Sequence, residues 1–399
     1  MAHWANLFCI YTKNSEVGII LPIFVIAIRY NPFGVKKVLA ILLTLTGLAC
    51  SFSFAQSLKA GFDKVEYTEL LKAYSRWGDS IFYRGIDEST RFKQRYRSPV
   101  VGLDNSWELY SSEDGVAVIS IRGTTANATS WLANFYAAMV PATGEIQLSD
   151  SVRFHYKLAK DPKAAVHVGW LVATAFLADD ILAKIDSSFA SGTRDFIIMG
   201  HSQGGAIAYL LTSHLRHLVE TGRLSDSIRF KTYCSAAPKP GNLYYAYELE
   251  SQTAGGWCFN VVNAADWVPE TPISIQTVGD FNATNPFANA GAAISKQRLP
   301  QRVFLKHLYG QLTKHTRRAQ KRYEKYLGDM TSKYVRKQYP QFKAPSYYPS
   351  NNYTRAGSFV ILMPDEAYFQ KFPDNQKEVF VHHSIQAYLD LTGKLSCGK

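Results

Sequence analysis

Two kinds of hydrophobic patterning alternate along this chain. Short, largely apolar runs read as strands: Val116 to Ile121, a buried run, then Phe196 to Met199, Phe230 to Cys234, Cys258 to Val262 and Phe359 to Met363. Trp107 to Tyr110 adds a shorter one. Between them lie stretches with apolar residues at helical spacing. Residues 63–77 place Leu70, Leu71 and Tyr74 on one face. Residues 169–189 carry Trp170, Ala173, Phe176, Leu177, Ile181 and Leu182. Further helices are predicted from Ala206 onward, over 241–249, and over 379–391 at the end of the chain. Strands alternating with helices predict an α/β architecture, a mostly parallel sheet with helices on both faces.

Residues 276–350 break the alternation. They open on a Gly/Ala/Asn-rich stretch and continue into a basic, tyrosine-rich helical pattern with Leu305, Leu308, Tyr309, Leu312, Ala319, Tyr326, Leu327 and Met330 at helical spacing. They end in Pro345-Ser346-Tyr347-Tyr348-Pro349-Ser350. This reads as an insertion within one domain spanning 56–399.

Charge sharpens that division. The net charge is +12 over 399 residues, yet residues 303–339 alone hold ten Lys/Arg against Glu324 and Asp329, a net of +8. Residues 1–55 carry another +3, from Lys13, Arg29, Lys36 and Lys37 against Glu16. The basicity belongs to one segment and a leader, so a general nucleic-acid surface is not expected. The segment is instead a candidate contact for an anionic membrane or envelope surface.

The leader has the grammar of an export signal. Lys36-Lys37 is the basic region, Val38 to Leu48 the apolar region, and Ser53-Phe54-Ala55 supplies small residues for cleavage before Gln56. Residues 1–34 do not fit such a signal and predict a true start near Val35. The expected location is periplasmic or secreted. The rival expectation is a membrane anchor formed by the apolar N-terminal segment, although Val17 to Ile28 is interrupted by Pro22 and short for a bilayer span. Cys234, Cys258 and Cys397 remain after cleavage and do not make a disulfide framework. Cys234 and Cys258 are expected as buried thiols, with pairing as the alternative.

The chemistry starts at Gly200-His201-Ser202-Gln203-Gly204, with an apolar strand before it and a helical run after it. That is the context of a nucleophile elbow, a sharp turn that exposes a serine at a helix N-terminus. A serine needs a base, and the base needs an acid to orient it. In this arrangement the acid and then the histidine follow the serine. Asp266 lies just past a predicted strand end, and His382-His383 stands before the terminal helix, so either histidine fits as the base. His167 and His201 precede the serine and read as structural. His307 and His315 are expected to face solvent. The oxyanion donors are expected from the backbone of Gln203 and from Thr124 in the loop Arg122-Gly123-Thr124. After that loop, Trp131, Leu132, Phe135 and Tyr136 form an apolar stripe that reads as a core-packed helix or as an amphipathic lid.

Taken in order, Arg122-Gly123-Thr124, Trp131, Val166 to Trp170, Gly200 to Ala206, Pro238 to Asn242 and Val261 to Pro269 resemble the class 3, fungal-type triacylglycerol lipases. The resemblance covers about residues 107–275 and 355–392. It implies an α/β-hydrolase fold, a triad of Ser202, Asp266 and His383, and Thr124 and Gln203 at the oxyanion hole. His383, Ser384 and Tyr388 match the family's spacing after its histidine. The chain departs from the pattern at Gln203 (usually Leu), Ser130 (usually Asp), Ala236 (usually Gly) and Lys239 (usually Arg), and in a long gap between acid and histidine. The expected activity is hydrolysis of lipid esters through an acyl-enzyme, without metal or cofactor. Phospholipid and polysaccharide esters suit the same machinery, and a non-catalytic binding protein of the same fold is the alternative of a different class.

Overall fold

The computed structural model describes residues 58–77, 84–287 and 289–396. The leader, its cleavage site and Cys397 lie outside the described residues. The central sheet has seven strands, which lie side by side in chain order: β1 Lys93–Arg97, β2 Trp107–Ser111, β3 Val116–Ile121, β4 Asp195–His201, β5 Arg229–Ser235, β6 Cys258–Asn263 and β7 Ser358–Leu362. The first two pairings are antiparallel, and from β3 to β7 all are parallel.

The apolar runs of β3 and β4 are buried because both faces are covered, whereas the edge strand β7 leaves Phe359 and Ile361 exposed. Along β4, Phe196 and Ile198 enter one core with Ile119 and Ile121, while Ile197 and Met199 enter the other with Val118 and Tyr233. The first core is closed by α3 (Val168–Ala190) and α4 (Gln203–Glu220). The second is closed by α1 (Lys64–Tyr74) and the terminal helix α8 (Ile385–Lys394). The predicted α/β sheet is therefore present. Cys234 and Cys258 are buried in the first core as free thiols.

Several element ends differ from the pattern-based expectation, and side-chain caps explain two of them. The helix expected over 241–249 runs Leu243–Gln252 (α5), because Asn242 caps it by accepting from Tyr245 N–H. The helix expected over 379–391 starts only at Ile385, where Ser384 Oγ accepts from Ala387 N–H. This leaves His382 and His383 in a separate 3₁₀ turn, Val381–His383. Strand β1 was not expected. It is a charged, exposed edge with no apolar run, the composition that keeps an edge from pairing with another chain.

The insertion leaves after Ile275 and returns at Asn351, and those two residues form an antiparallel bridge. Between them run α6 (Gln301–Glu324), a π-helical turn (Lys325–Met330) and α7 (Thr331–Gln338). The apolar stripe of this segment is only partly covered. Thr313 and Gln320 are the buried residues of α6, while Leu308, Leu312, Tyr326 and Met330 are exposed. The segment meets the first core through Val335 and Phe342, and the π turn adds a backbone contact. Ala138 N–H donates to Leu327 O at 3.2 Å, and Gly328 packs where a Cβ would collide with Ala138 and the Tyr347 ring.

Candidate active site

The turn after β4 has the geometry the pentapeptide requires. Ser202 has φ 61° and ψ −130°, a left-handed strain rare for a residue with a side chain. It is held by Ser202 N–H donating to Ser235 O (2.9 Å) and by Ala206 N–H donating to Ser202 O (3.2 Å). The two flanking glycines are there for space. A Cβ on Gly200 would overlap the Gly204 carbonyl, and one on Gly204 would overlap the Ile121 carbonyl. Strand β3, strand β4 and α4 can approach this closely only with hydrogen at both positions.

Asp266 and His383 meet at the C-terminal ends of the strands. His383 Nδ1 lies 2.7 Å from Asp266 Oδ2. Asp266 is buried, and its remaining lone pairs accept from Tyr388 Oη (2.9 Å) and Val268 N–H (3.0 Å). Burial pushes its carboxyl up, but the neighbouring His383 and these hydrogen bonds outweigh that and hold it below the usual carboxylate range. His383 and Ser202 both line one cavity of about 860 Å³. No hydrogen bond links Ser202 Oγ to His383 among the described residues, a contact that in unliganded sites is often long.

The neighbouring histidine is occupied elsewhere. His382 Nδ1 pairs with Tyr368 Oη (2.8 Å), His382 Nε2 with Asp374 Oδ1 (2.9 Å), and it does not line the cavity. His201 supports His383 from behind. Its Nε2 lies 2.8 Å from the His383 carbonyl oxygen, and its Nδ1 lies 3.0 Å from Ser235 Oγ. Burial depresses His201 to about 3, so the ring is neutral and its Nε2–H can donate to that carbonyl. His167, also depressed to about 3 by burial, caps α3 by accepting from Trp170 N–H and stacks on the Trp170 ring.

The expected oxyanion loop is built to the same tolerance. Gly123 N–H donates to Tyr74 Oη (2.8 Å), and a Cβ on Gly123 would press on that hydroxyl and on the His201 carbonyl. Arg122 is tied to Asp104 (3.1 Å), and Thr125 Oγ1 donates to the same carboxylate. Thr124 lines the cavity. The N–H of Gln203 is at the first position of α4, where no carbonyl of the helix can accept it.

One residue of this region was not singled out from the sequence. Asn134, in α2 (Ala128–Phe135), donates through Nδ2 to Thr124 Oγ1 (2.9 Å). Its Oδ1 accepts from Gln203 Nε2 (3.0 Å) and Trp170 Nε1 (3.0 Å). Gln203 Nε2 also donates to Ser130 O (3.1 Å), and Ser130 Oγ accepts from Thr125 N–H. The departures at Gln203 and Ser130 thus belong to one network joining the elbow, the loop and α2. Its only signal in the sequence is a polar residue inside an apolar stripe.

That stripe splits by face. Trp131 and Phe135 line the cavity, with Phe135 56% exposed. Leu132 packs on the first core, and Tyr136 is fully buried with its hydroxyl 3.0 Å from Tyr347 Oη. Leu132 and Tyr136 therefore pack inward while Trp131 and Phe135 face the cavity, because neighbouring residues on a helix point about 100° apart. The other lining residues include Trp77, Trp170, Trp267, Ile273, Leu327 and Phe380, so the cavity is mainly apolar.

Fold and elbow together define an α/β-hydrolase. Residues 118–275 match the family of class 3 lipases. A secreted mono- and diacylglycerol lipase of Fusarium solani is 28% identical over 177 residues, covering 43% of this chain and 45% of that protein. One from Malassezia globosa is 27% identical over 168 residues, covering 42% and 50%. The solved Rhizomucor miehei triacylglyceride lipase is similar at 20% identity, covering 54% of this chain and 77% of that one, with a TM-score of 0.39. This chain spans about half the length of the curated relatives it matches.

Proposed function

We propose that this chain is an exported serine hydrolase of acylglycerol esters. Ser202 Oγ attacks the ester carbonyl carbon while His383 takes its proton. Asp266 holds the imidazole and balances its charge. The oxyanion is bound by Gln203 N–H and by Thr124. Collapse breaks the acyl C–O bond, and His383 returns the proton to the departing alcohol. Water then attacks the acyl-enzyme with His383 as base, which releases the fatty acid and frees Ser202. His382, with both ring nitrogens engaged, has no part in these steps.

The observation that carries this reading is the His383–Asp266 pair at the wall of the cavity that a strained Ser202 also lines. The apolar lining favours an acyl chain over a sugar-linked ester, and the names of the relatives favour partial acylglycerols. Trp131 and Phe135 are the flap over that lining. Export follows from the leader's pattern, with cleavage before Gln56, and from relatives named as secreted.

The test is hydrolysis of mono-, di- and triacylglycerol by protein recovered outside the cytoplasm, compared with Ser202→Ala. The parent should begin at Gln56 and release fatty acid, and the variant should lose about a million-fold in kcat. Hydrolysis retained in Ser202→Ala would refute the assignment, and a different first residue would refute the cut.

A further inference from the structure

Helix α6 presents three faces. One packs inward through Thr313 and Gln320. A second is apolar and unpartnered: Phe304 is 66% exposed, Leu308 44% and Leu312 66%, each one helical turn from the next. Tyr326, 51% exposed, follows in the π turn. The third is cationic, with Lys314, Arg317, Arg318, Lys321, Arg322 and Lys325 exposed along one groove. Among the described residues none of these six, nor the other four cations of 303–339, takes part in an ion pair, whereas Lys72, Arg91, Arg97, Arg122, Arg229 and Lys231 around the sheet each do.

The end of this helix belongs to the cavity. Tyr323 and Leu327 line it together with Ser202. Its other wall residues include three that are also well exposed: Phe135, Trp267 and Ile273. An apolar rim thus surrounds the site, and a helix with one apolar and one uncompensated cationic face leads to it. A soluble polyanion would satisfy the cations and leave Phe304, Leu308 and Leu312 in water. A bilayer with anionic headgroups satisfies both faces, since its surface potential attracts the cations and its interface takes up the apolar side chains.

We infer that α6 and the π turn after it form a docking element for an anionic lipid bilayer, which seats the cavity mouth on the membrane. The assignment of its purpose rests on the lipid-ester reading, but the docking is measured without catalysis.

The experiment uses the full chain carrying Ser202→Ala, so that vesicles stay intact. Binding is measured by co-sedimentation with phosphatidylcholine vesicles, with and without phosphatidylglycerol, at low and high salt. The parent should prefer the anionic vesicles by tenfold or more, and salt should erase the preference. The quadruple variant R317E/R318E/K321E/R322E should lose about a hundredfold or more of that binding, since each cation near an anionic surface contributes roughly fivefold. In the catalytically intact background the same four changes should leave hydrolysis of a water-soluble short-chain ester unchanged, which shows that the fold survives. Leu308→Ser with Leu312→Ser should weaken binding about tenfold without altering its salt dependence. Equal binding to both vesicle types, or an undiminished quadruple variant, would overturn the inference. So would salt-sensitive retention on heparin with no vesicle binding. Loss of esterase activity with vesicle binding intact would instead count only against the hydrolase reading.

Discussion

At the scale of single residues, the two adjacent histidines have been given different work by their surroundings. His383 offers Nδ1 to a buried carboxylate and lines the cavity. His382 spends one ring nitrogen on Tyr368 and the other on Asp374, while its carbonyl accepts from Asn263 Nδ2 (2.8 Å). Replacing either ring by alanine separates the roles. On the proposed mechanism, His383→Ala should lower kcat by about a million-fold. His382→Ala should leave kcat within a few-fold and instead destabilise the fold by about 1–3 kcal/mol, because Tyr368 Oη loses a buried partner. Steady-state kinetics with a denaturant titration of each variant reads both. A His382→Ala enzyme as inactive as His383→Ala would overturn the division.

At the scale of elements, α2 is fastened to the nucleophile turn by side chains. Gln203 Nε2 reaches Ser130 O and Asn134 Oδ1, and Asn134 Nδ2 reaches Thr124 Oγ1. A threonine hydroxyl that accepts from Asn134 keeps its own proton free to point at an oxyanion. Asn134→Ala should therefore lower kcat about ten- to a hundred-fold with little change in KM, within the range for disturbing an oxyanion donor. Thr124→Val should do the same, and the double variant should cost little more than either, since both remove one interaction. Gln203→Leu keeps the backbone donor and should stay within a few-fold. A double-mutant cycle on kcat checks all of this, and strict additivity would sink it. This network also marks where legibility from sequence stopped. The buried strands could be read because a strand between two helical layers is built mainly from apolar side chains. The elbow could be read because Gly200 and Gly204 are demanded by backbone overlap. Asn134 could not, since its value lies in three partners that are distant in the chain or on another element. The α6 stripe marks a different limit: periodicity reports an apolar face but not whether anything covers it. Ala236 stands where the family pattern has glycine, and its φ of 48° shows that the left-handed turn persists without the residue that usually announces it.

At the scale of the whole molecule, several carboxylates away from the insertion are held in buried or half-buried pairs, and these set the response to acid. Lys231 and Glu66 pair at 2.7 Å inside the second core, and Arg229 grips Asp195 at the start of β4. Glu69 on α1 accepts from Lys72 Nζ, Ser89 Oγ and the N–H groups of Thr90 and Arg91, which ties the first helix to the chain entering β1. Burial pushes its carboxyl up, but those donors dominate and bring it down to about 2 from an ordinary 4.5. A carboxyl depressed by folding stabilises the native state while it is ionised. Its contribution is complete above the unfolded value near 4.5 and is lost as pH falls toward about 2. Asp266 acts in the same direction, since its carboxyl is also held below the ordinary range. Glu69→Gln removes the charge but keeps one acceptor oxygen. At pH 7 it should cost on the order of 2 kcal/mol, allowing for solvent at the rim of the site. Near pH 2.5 the difference from the parent should shrink severalfold, because the parent's own carboxyl is then partly protonated. Urea unfolding of both proteins across this range measures the gap directly. A gap that stays constant or widens as pH falls would show that Glu69 holds α1 in place by shape and hydrogen bonding, and not by its charge.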